Sequence, residues 1–176
     1  NRRYYCKEYL VSRNEVNGGI MNIDIDTSEA AQKAMSFFKE GYNCSQSVVL
    51  AFEENFDFDR KTLLKLSSSF GGGMGRLREV CGGVTAMFII AGVLYGYDEP
   101  TDIEGKKIHY ARIQELAHEF SSRNGSIVCR DLLGLSTKTE LSTSYQRTEE
   151  YYTKRPCVQS VGLSAAIIEE YIRWHS

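Results

Sequence analysis

The residues of this chain best suited to chemistry are cysteines. Five occur among its 176 residues, and four of them, Cys44, Cys81, Cys129 and Cys157, each sit close to a helix-start signal. Asn43 directly precedes Cys44, and Cys81 comes just after the run Gly71-Gly72-Gly73-Met74-Gly75. Cys129 stands three residues beyond Ser126, and Cys157 follows Pro156. The first turn of a helix carries backbone N–H groups without intrahelical partners, which stabilise negative charge together with the dipole. A thiol there can drop from about 8.5 into the range of about 3.5–7.5, becoming a better nucleophile and metal ligand. The four cysteines are thus the expected catalytic residues and, alternatively, the expected metal ligands. A lone free cysteine is more often a core residue. Four at helix starts argue collectively against that plainer reading.

Spacing removes several possibilities. No Cys-x-x-Cys occurs, so thioredoxin-type sites and zinc knuckles are excluded, as are ferredoxin-type runs. Any pairing has to be made by the fold, and four cysteines allow three disulfide connectivities. Three functions stay open. The first is thiol–disulfide or electron-transfer chemistry, with Cys44 or Cys81 attacking and another cysteine resolving. The second is an iron–sulfur or zinc module held by all four thiolates. The third is a helical interaction protein whose cysteines only pack. Gly72, Gly73 and Gly82 are the expected points of close backbone approach to Cys81 and to any cofactor. With Arg76 and Arg78 the glycine run could also cradle an anion, but it follows a helix and lacks the P-loop Lys. His109 and His118 share no helix face and read as surface residues. His175 suits a helix C-terminus. Tyr145, Tyr151 and Tyr152 are expected to pack back on the body of the protein.

The elements that must position these thiols read as helix after helix. Ser28 or Thr27 can cap a helix with Ala30, Ala34, Phe37 and Phe38 inward, ended by Gly41. Asn43 with Gln46 makes a capping box for a second helix to about Asn55. Asp59 opens a third, and a buried helix spans about Glu79 to Tyr95. Thr101 with Glu104 starts a long amphipathic helix to Gly125, with Ile113, Leu116, Ala117 and Phe120 at helical spacing. Ser126 caps a short helix stopped at Gly134. Residues 135–150 read as a connector, and Pro156 opens a last helix with Val158, Val161, Ala165, Ile168 and Ile172 on one stripe. The expected fold is an all-α single-domain bundle of about six or seven helices.

Composition narrows the class. Lys and Arg number 21 against 23 Asp and Glu, and no basic block points to nucleic acid. The longest apolar run, Val84 to Tyr95, is too short to span a bilayer. The charged N-terminus has no apolar run after it, so no secretory signal is read. Five cysteines without export features favour a reducing, cytoplasmic setting. The expected partner is a redox protein or a small molecule, and the apolar helix faces allow a homodimer. Residues 1–26, with Cys6 and Asn17-Gly18-Gly19, read as an extension outside the core, and Met21 is a candidate natural start. Residues 27–176 form the four-cysteine domain.

Asn43-Cys44-Ser45-Gln46, the Phe70 to Gly75 run, Cys81-Gly82-Gly83-Val84-Thr85, Cys129-Arg130 and Pro156-Cys157, in this order, resemble the C_GCAxxG_C_C family of four-cysteine bacterial proteins described as redox-active. The likeness runs from about Ala30 to Ile172. It implies that the family's cysteines fall on Cys44, Cys81, Cys129 and Cys157. It also implies departures at Gly83, for Ala, and Ala86, for the second Gly, both small-for-small. The family is similar to the helical part of split-Soret cytochromes, which implies an iron–sulfur site as an alternative. The chain has no Cys-x-x-Cys-His, so covalent haem is not implied.

Overall fold

A computed structural model of the chain describes residues 23–136 and 147–176. Among these residues there are eight α-helices and no strand: α1 Glu29–Lys39, α2 Cys44–Leu50, α3 Arg60–Ser68, α4 Gly82–Tyr95, α5 Ile103–Asn124, α6 Cys129–Leu132, α7 Glu149–Lys154 and α8 Cys157–His175. A 3-10 turn covers Glu53–Asn55. One further turn, Gly71–Met74, has left-handed backbone at Gly72 and Gly73 and so is not a regular helix. The all-α expectation is met, with short α7 adding to the seven helices legible beforehand. Cys6 and Tyr145 lie outside the described residues.

The caps explain most of the boundaries. Ser28 Oγ accepts from Ala31 N–H at the start of α1, and Asp59 Oδ1 accepts from Thr62 N–H at the start of α3. The cap of α5 is Asp102 rather than Thr101, because the Asp102 carboxylate takes the Gly105 N–H at 2.8 Å. At α6, Val128 holds the cap position, two residues later than expected, and Ser126 Oγ accepts from the Val128 N–H instead. Helix α2 stops at Leu50, where the chain tightens toward the 3-10 turn. Helix α4 starts three residues later than expected, at Gly82. The residues before it are engaged elsewhere: Val80 bridges antiparallel to Val128.

Helix α4 is apolar all round, as a helix surrounded by protein must be. Its Val84, Ala86, Met87, Ile90 and Ala91 have no exposed surface, and it packs against α2, α5 and α8. Helix α8 lies on α1 along its length and also meets α2, α4 and α5, burying Val161, Ala165, Ile167 and Ile168. Ile23 and Ile25, just before α1, pack against the same core. No helix among the described residues is long and apolar enough to cross a membrane.

Candidate functional site

Each of the four dispersed cysteines stands at the beginning of a helix. Cys44, Cys129 and Cys157 are the first residues of α2, α6 and α8, and Cys81 is the N-cap of α4. Local chemistry fixes each one. Asn43 Oδ1 accepts the N–H groups of Ser45 and Gln46 at 3.0 Å, and Gln46 Oε1 accepts the Asn43 N–H at 3.1 Å. Asn43 Nδ2 also donates to Ser68 O at 3.0 Å, tying the Cys44 end of α2 to the last turn of α3. Cys81 N–H donates to Ile127 O at 2.8 Å, and Cys129 N–H donates to Glu79 O at 2.6 Å. These two bonds flank the Val80–Val128 bridge and form a short rung that carries both buried cysteines.

Glycine permits the crowding. A Cβ on Gly73, whose φ is +69°, would lie 2.5 Å from Cys129 Cβ. One on Gly82 would lie 2.7 Å from Phe70 O and 3.1 Å from Cys44 Cβ. The close approaches expected at Cys81 are therefore made to its neighbours: Gly73 to Cys129 and Gly82 to Cys44. The third glycine, Gly72, offers its backbone N–H to the Cys44 sulfur.

The four thiols share a neighbourhood but differ in ionisation. The Cys157 S–H donates to Cys44 Sγ, and this is the largest influence holding Cys44 in its charged form. Gly72 N–H, the Arg147 charge and the Cys44 N–H add to it, against the opposing cost of burial. Together they pull Cys44 down to about 7. The same hydrogen bond pushes Cys157 strongly up, with burial and the charge on Cys44 adding to the effect. Burial pushes Cys81 up to about 12, reinforced by the charge on Cys44; N–H groups of Gly83 and Val84 oppose this and lose. Burial also raises Cys129, against the Arg78 guanidinium, whose Nη1 is 3.7 Å from Cys129 Sγ. Of the four helix-start thiols only Cys44 is lowered: burial outweighs the backbone N–H contacts at Cys81 and the Arg78 guanidinium at Cys129, and Cys157 is raised chiefly by its interaction with Cys44.

Cys44, Cys129 and Cys157 open onto a cavity of about 520 Å³. Arg76, Arg78, Arg147 and Arg155 line it, along with the ion pair of Lys154 and Glu150. Arg147 Nη1 donates to Phe38 O and Tyr42 O, and its guanidinium lies over the Phe38 ring. Arg155 lies 4.9 Å over Tyr151. Arg147 and Arg155 carry no motif, and their part was invisible in the sequence; proximity to Pro156-Cys157 was the single available hint. His118 is exposed and His109 half-buried, and neither lines this cavity.

A model of the family described as "Putative redox-active protein (C_GCAxxG_C_C)" matches residues 42–171. The chain belongs to this family. The match spans all four cysteines, the glycine turn and most of α8. The C_GCAxxG_C_C name sets its central cysteine between Gly and Ala. With Cys81 as that cysteine, this chain departs from the motif at Val80, Gly82 and Thr85, not at Gly83 and Ala86 as first read. The departure at Gly82 has a reason, since an Ala there would press on Phe70 O and Cys44 Cβ. No curated protein and no solved structure matches the chain.

Among the described residues no three His, Cys, Asp or Glu side chains are grouped to hold a single metal ion. An iron–sulfur cluster asks for four thiolates set around a larger body. The four thiols match that donor set in kind, and the arginines would balance its charge.

Proposed function

We propose that this protein carries out thiol–disulfide exchange, with Cys44 as the attacking sulfur and Cys157 as the resolving one. The observation that carries this reading is that Cys44 and Cys157, each the first residue of its helix, line one cavity, with Cys157 the largest influence holding Cys44 charged. In the first step Cys44 thiolate attacks one sulfur of a substrate disulfide. A Cys44–substrate disulfide forms, the substrate S–S bond breaks, and one thiolate leaves. The negative charge on Cys44 is then gone, and with it the main reason Cys157 held its proton. Cys157 loses that proton to solvent or to the departing thiolate and attacks Cys44 Sγ. A Cys44–Cys157 disulfide forms and the second substrate thiolate leaves. Two electrons have passed from the cysteine pair to the substrate, and a dithiol reductant returns them. Cys157 is thus dormant until Cys44 has reacted. Cys81 and Cys129 stay protonated beneath the pair.

The test uses single substitutions of the purified chain. Cys44→Ser should abolish exchange with a model disulfide. Cys157→Ser should stop after the first step and accumulate a mixed disulfide on Cys44, visible by mass spectrometry. Cys81→Ser and Cys129→Ser should retain one turnover. Exchange that survives Cys44→Ser overturns the reading.

A second reading rests on all four thiols standing at helix starts and the other three each feeling the charge on Cys44. Cys44, Cys81, Cys129 and Cys157 would hold an iron–sulfur cluster, which would supply one-electron transfer. Anaerobic purification with iron and sulfide analysis decides between them: stoichiometric iron lost in any of the four single variants favours the cluster.

A further inference from the structure

One wall of the cavity is fastened differently from the rest. Thr148, Glu150, Tyr151, Lys154 and Arg155 of its lining come from α7 and its two flanks, whereas Cys44 stands on α2, which packs against α1, α3, α4 and α8. None of the six residues of α7 is buried, and Tyr151 and Tyr152 pack only on the edge of the core. A helix this short does not hold itself by propensity. With so little apolar surface covered it belongs to the least stable part of the molecule. Its fastenings are polar. Arg147 Nη1 donates to Phe38 O at 3.1 Å and to Tyr42 O at 2.9 Å. Tyr152 Oη donates to Phe38 O at 3.4 Å and to Lys39 O at 3.3 Å. These acceptors lie at the end of α1 and in the turn after it, where helical N–H partners run out. A cation there also complements the negative end of the helix dipole. Arg147 precedes α7 and Tyr152 lies within it, so α7 is clipped at two points onto one helix end. Tyr42 stands two residues before Cys44, which puts the clip beside the joint that presents the thiol.

We propose that Arg147 and Tyr152 form a latch that holds α7 against the end of α1 and thereby decides how large a molecule reaches Cys44. As a statement about substrates the inference rests on the exchange reading above, to which it adds a size limit. With the latch fastened, the cavity of about 520 Å³ suits a disulfide of small-molecule bulk. A disulfide carried by a folded protein needs α7 lifted. Arg147 also couples access to reactivity, because its charge favours the ionised form of Cys44. Lifting α7 with Arg147 widens the way in and withdraws part of that support. Small substrates therefore meet the more ionised thiol and bulky ones the less ionised.

The experiment labels the reduced full chain with two neutral reagents, iodoacetamide and the bulkier N-(1-pyrenyl)iodoacetamide. Labelling of Cys44 is read by peptide mass spectrometry well above pH 7, where this thiol is ionised. The wild-type chain should discriminate against the pyrenyl reagent more strongly than free N-acetylcysteine does. Tyr152 stands outside the cavity lining, and Tyr152→Phe keeps the ring edge on Phe38 while removing both hydrogen bonds. It should speed the pyrenyl reagent at Cys44 about two- to tenfold and leave the iodoacetamide rate unchanged. Arg147→Gln removes the charged donor, so it should speed the pyrenyl reagent further and move the inflection of Cys44 alkylation upward. A pyrenyl rate unmoved in both variants overturns the latch. So does equal acceleration of both reagents by Tyr152→Phe, or a wild-type discrimination no greater than that of N-acetylcysteine. Any of these, with Cys44 still labelled by iodoacetamide near neutral pH, leaves the exchange reading standing. A wild-type Cys44 inert to iodoacetamide removes both.

Discussion

Cys157 acts on the ionisation of Cys44, and that influence can be measured directly. Alkylation of Cys44 should rise with pH around about 7 instead of the usual thiol range. Replacing Cys157 by Ala removes the largest stabilising contact, so the inflection should move up by about one unit or more. Cys157→Ser keeps an O–H donor and should move it less; mass spectrometry of iodoacetamide-treated protein across pH reads both. Stability should follow the same protons with the sign worked through. Cys44, lowered on folding, adds stability that is full above its unfolded value of 9.0 and is lost as pH falls through about 7. Cys81, raised on folding to about 12, adds stability that is full below 9.0 and is lost as pH climbs toward 12. Denaturant titrations should therefore show these thiols favouring the folded state most near pH 9. Cys44→Ser should flatten the rise from 7 to 9, and Cys81→Ser should soften the fall above it.

At the scale of elements, two glycines of one helix behave oppositely. Gly92, inside α4, has nothing within 4 Å of where a Cβ would sit. Gly92→Ala should therefore stabilise by about 0.5–1 kcal/mol through helix propensity and the unfolded chain. Gly82, the first residue of α4, meets Phe70 O and Cys44 Cβ. Gly82→Ala should cost about 1–3 kcal/mol by overpacking and displace the Cys44 backbone, altering its alkylation rate. Thermal unfolding of the two variants side by side checks the contrast. The same helix marks the boundary of what the sequence made legible. Its apolar length identified a buried element, and side-chain caps such as Asn43 and Asp59 placed other starts well, since each cap is written within three residues of its helix. The true start of α4 was hidden, because Glu79 and Cys81 bond to Cys129 and Ile127 far along the chain. No local pattern records that pairing.

For the molecule as a whole, Glu169 joins the first and last described helices. Its Oε2 accepts from Ser28 Oγ at 2.6 Å and its Oε1 from Ala30 N–H at 3.1 Å, across 141 and 139 positions of sequence. Glu169→Ala should cost about 1–2 kcal/mol and about 2–8 °C in Tm, read by calorimetry, with the pH dependence of Cys44 alkylation retained. The four-cysteine set was legible because thiols at helix starts are a pattern of types and caps. The arginine lining was not, since Arg147 and Arg155 reach the cavity only through the way α7 and α8 are laid on the bundle.

The rung between Val80 and Val128 bears on the order in which the molecule assembles. It closes a loop of roughly fifty residues, an entropic cost of about 3 kcal/mol or more that a pair of hydrogen bonds at about 1 kcal/mol each does not meet alone. The rung therefore forms after α4 and α5 have docked, as a late event. Until then Cys81 and Cys129 remain open to solvent, oxidant and each other. Pulsed alkylation during refolding should find both sulfurs reactive until the last kinetic phase and then protected together. An oxidising folding environment would trap them wrongly paired, so the sulfurs quietest in the finished protein are the ones most at hazard while it is being made.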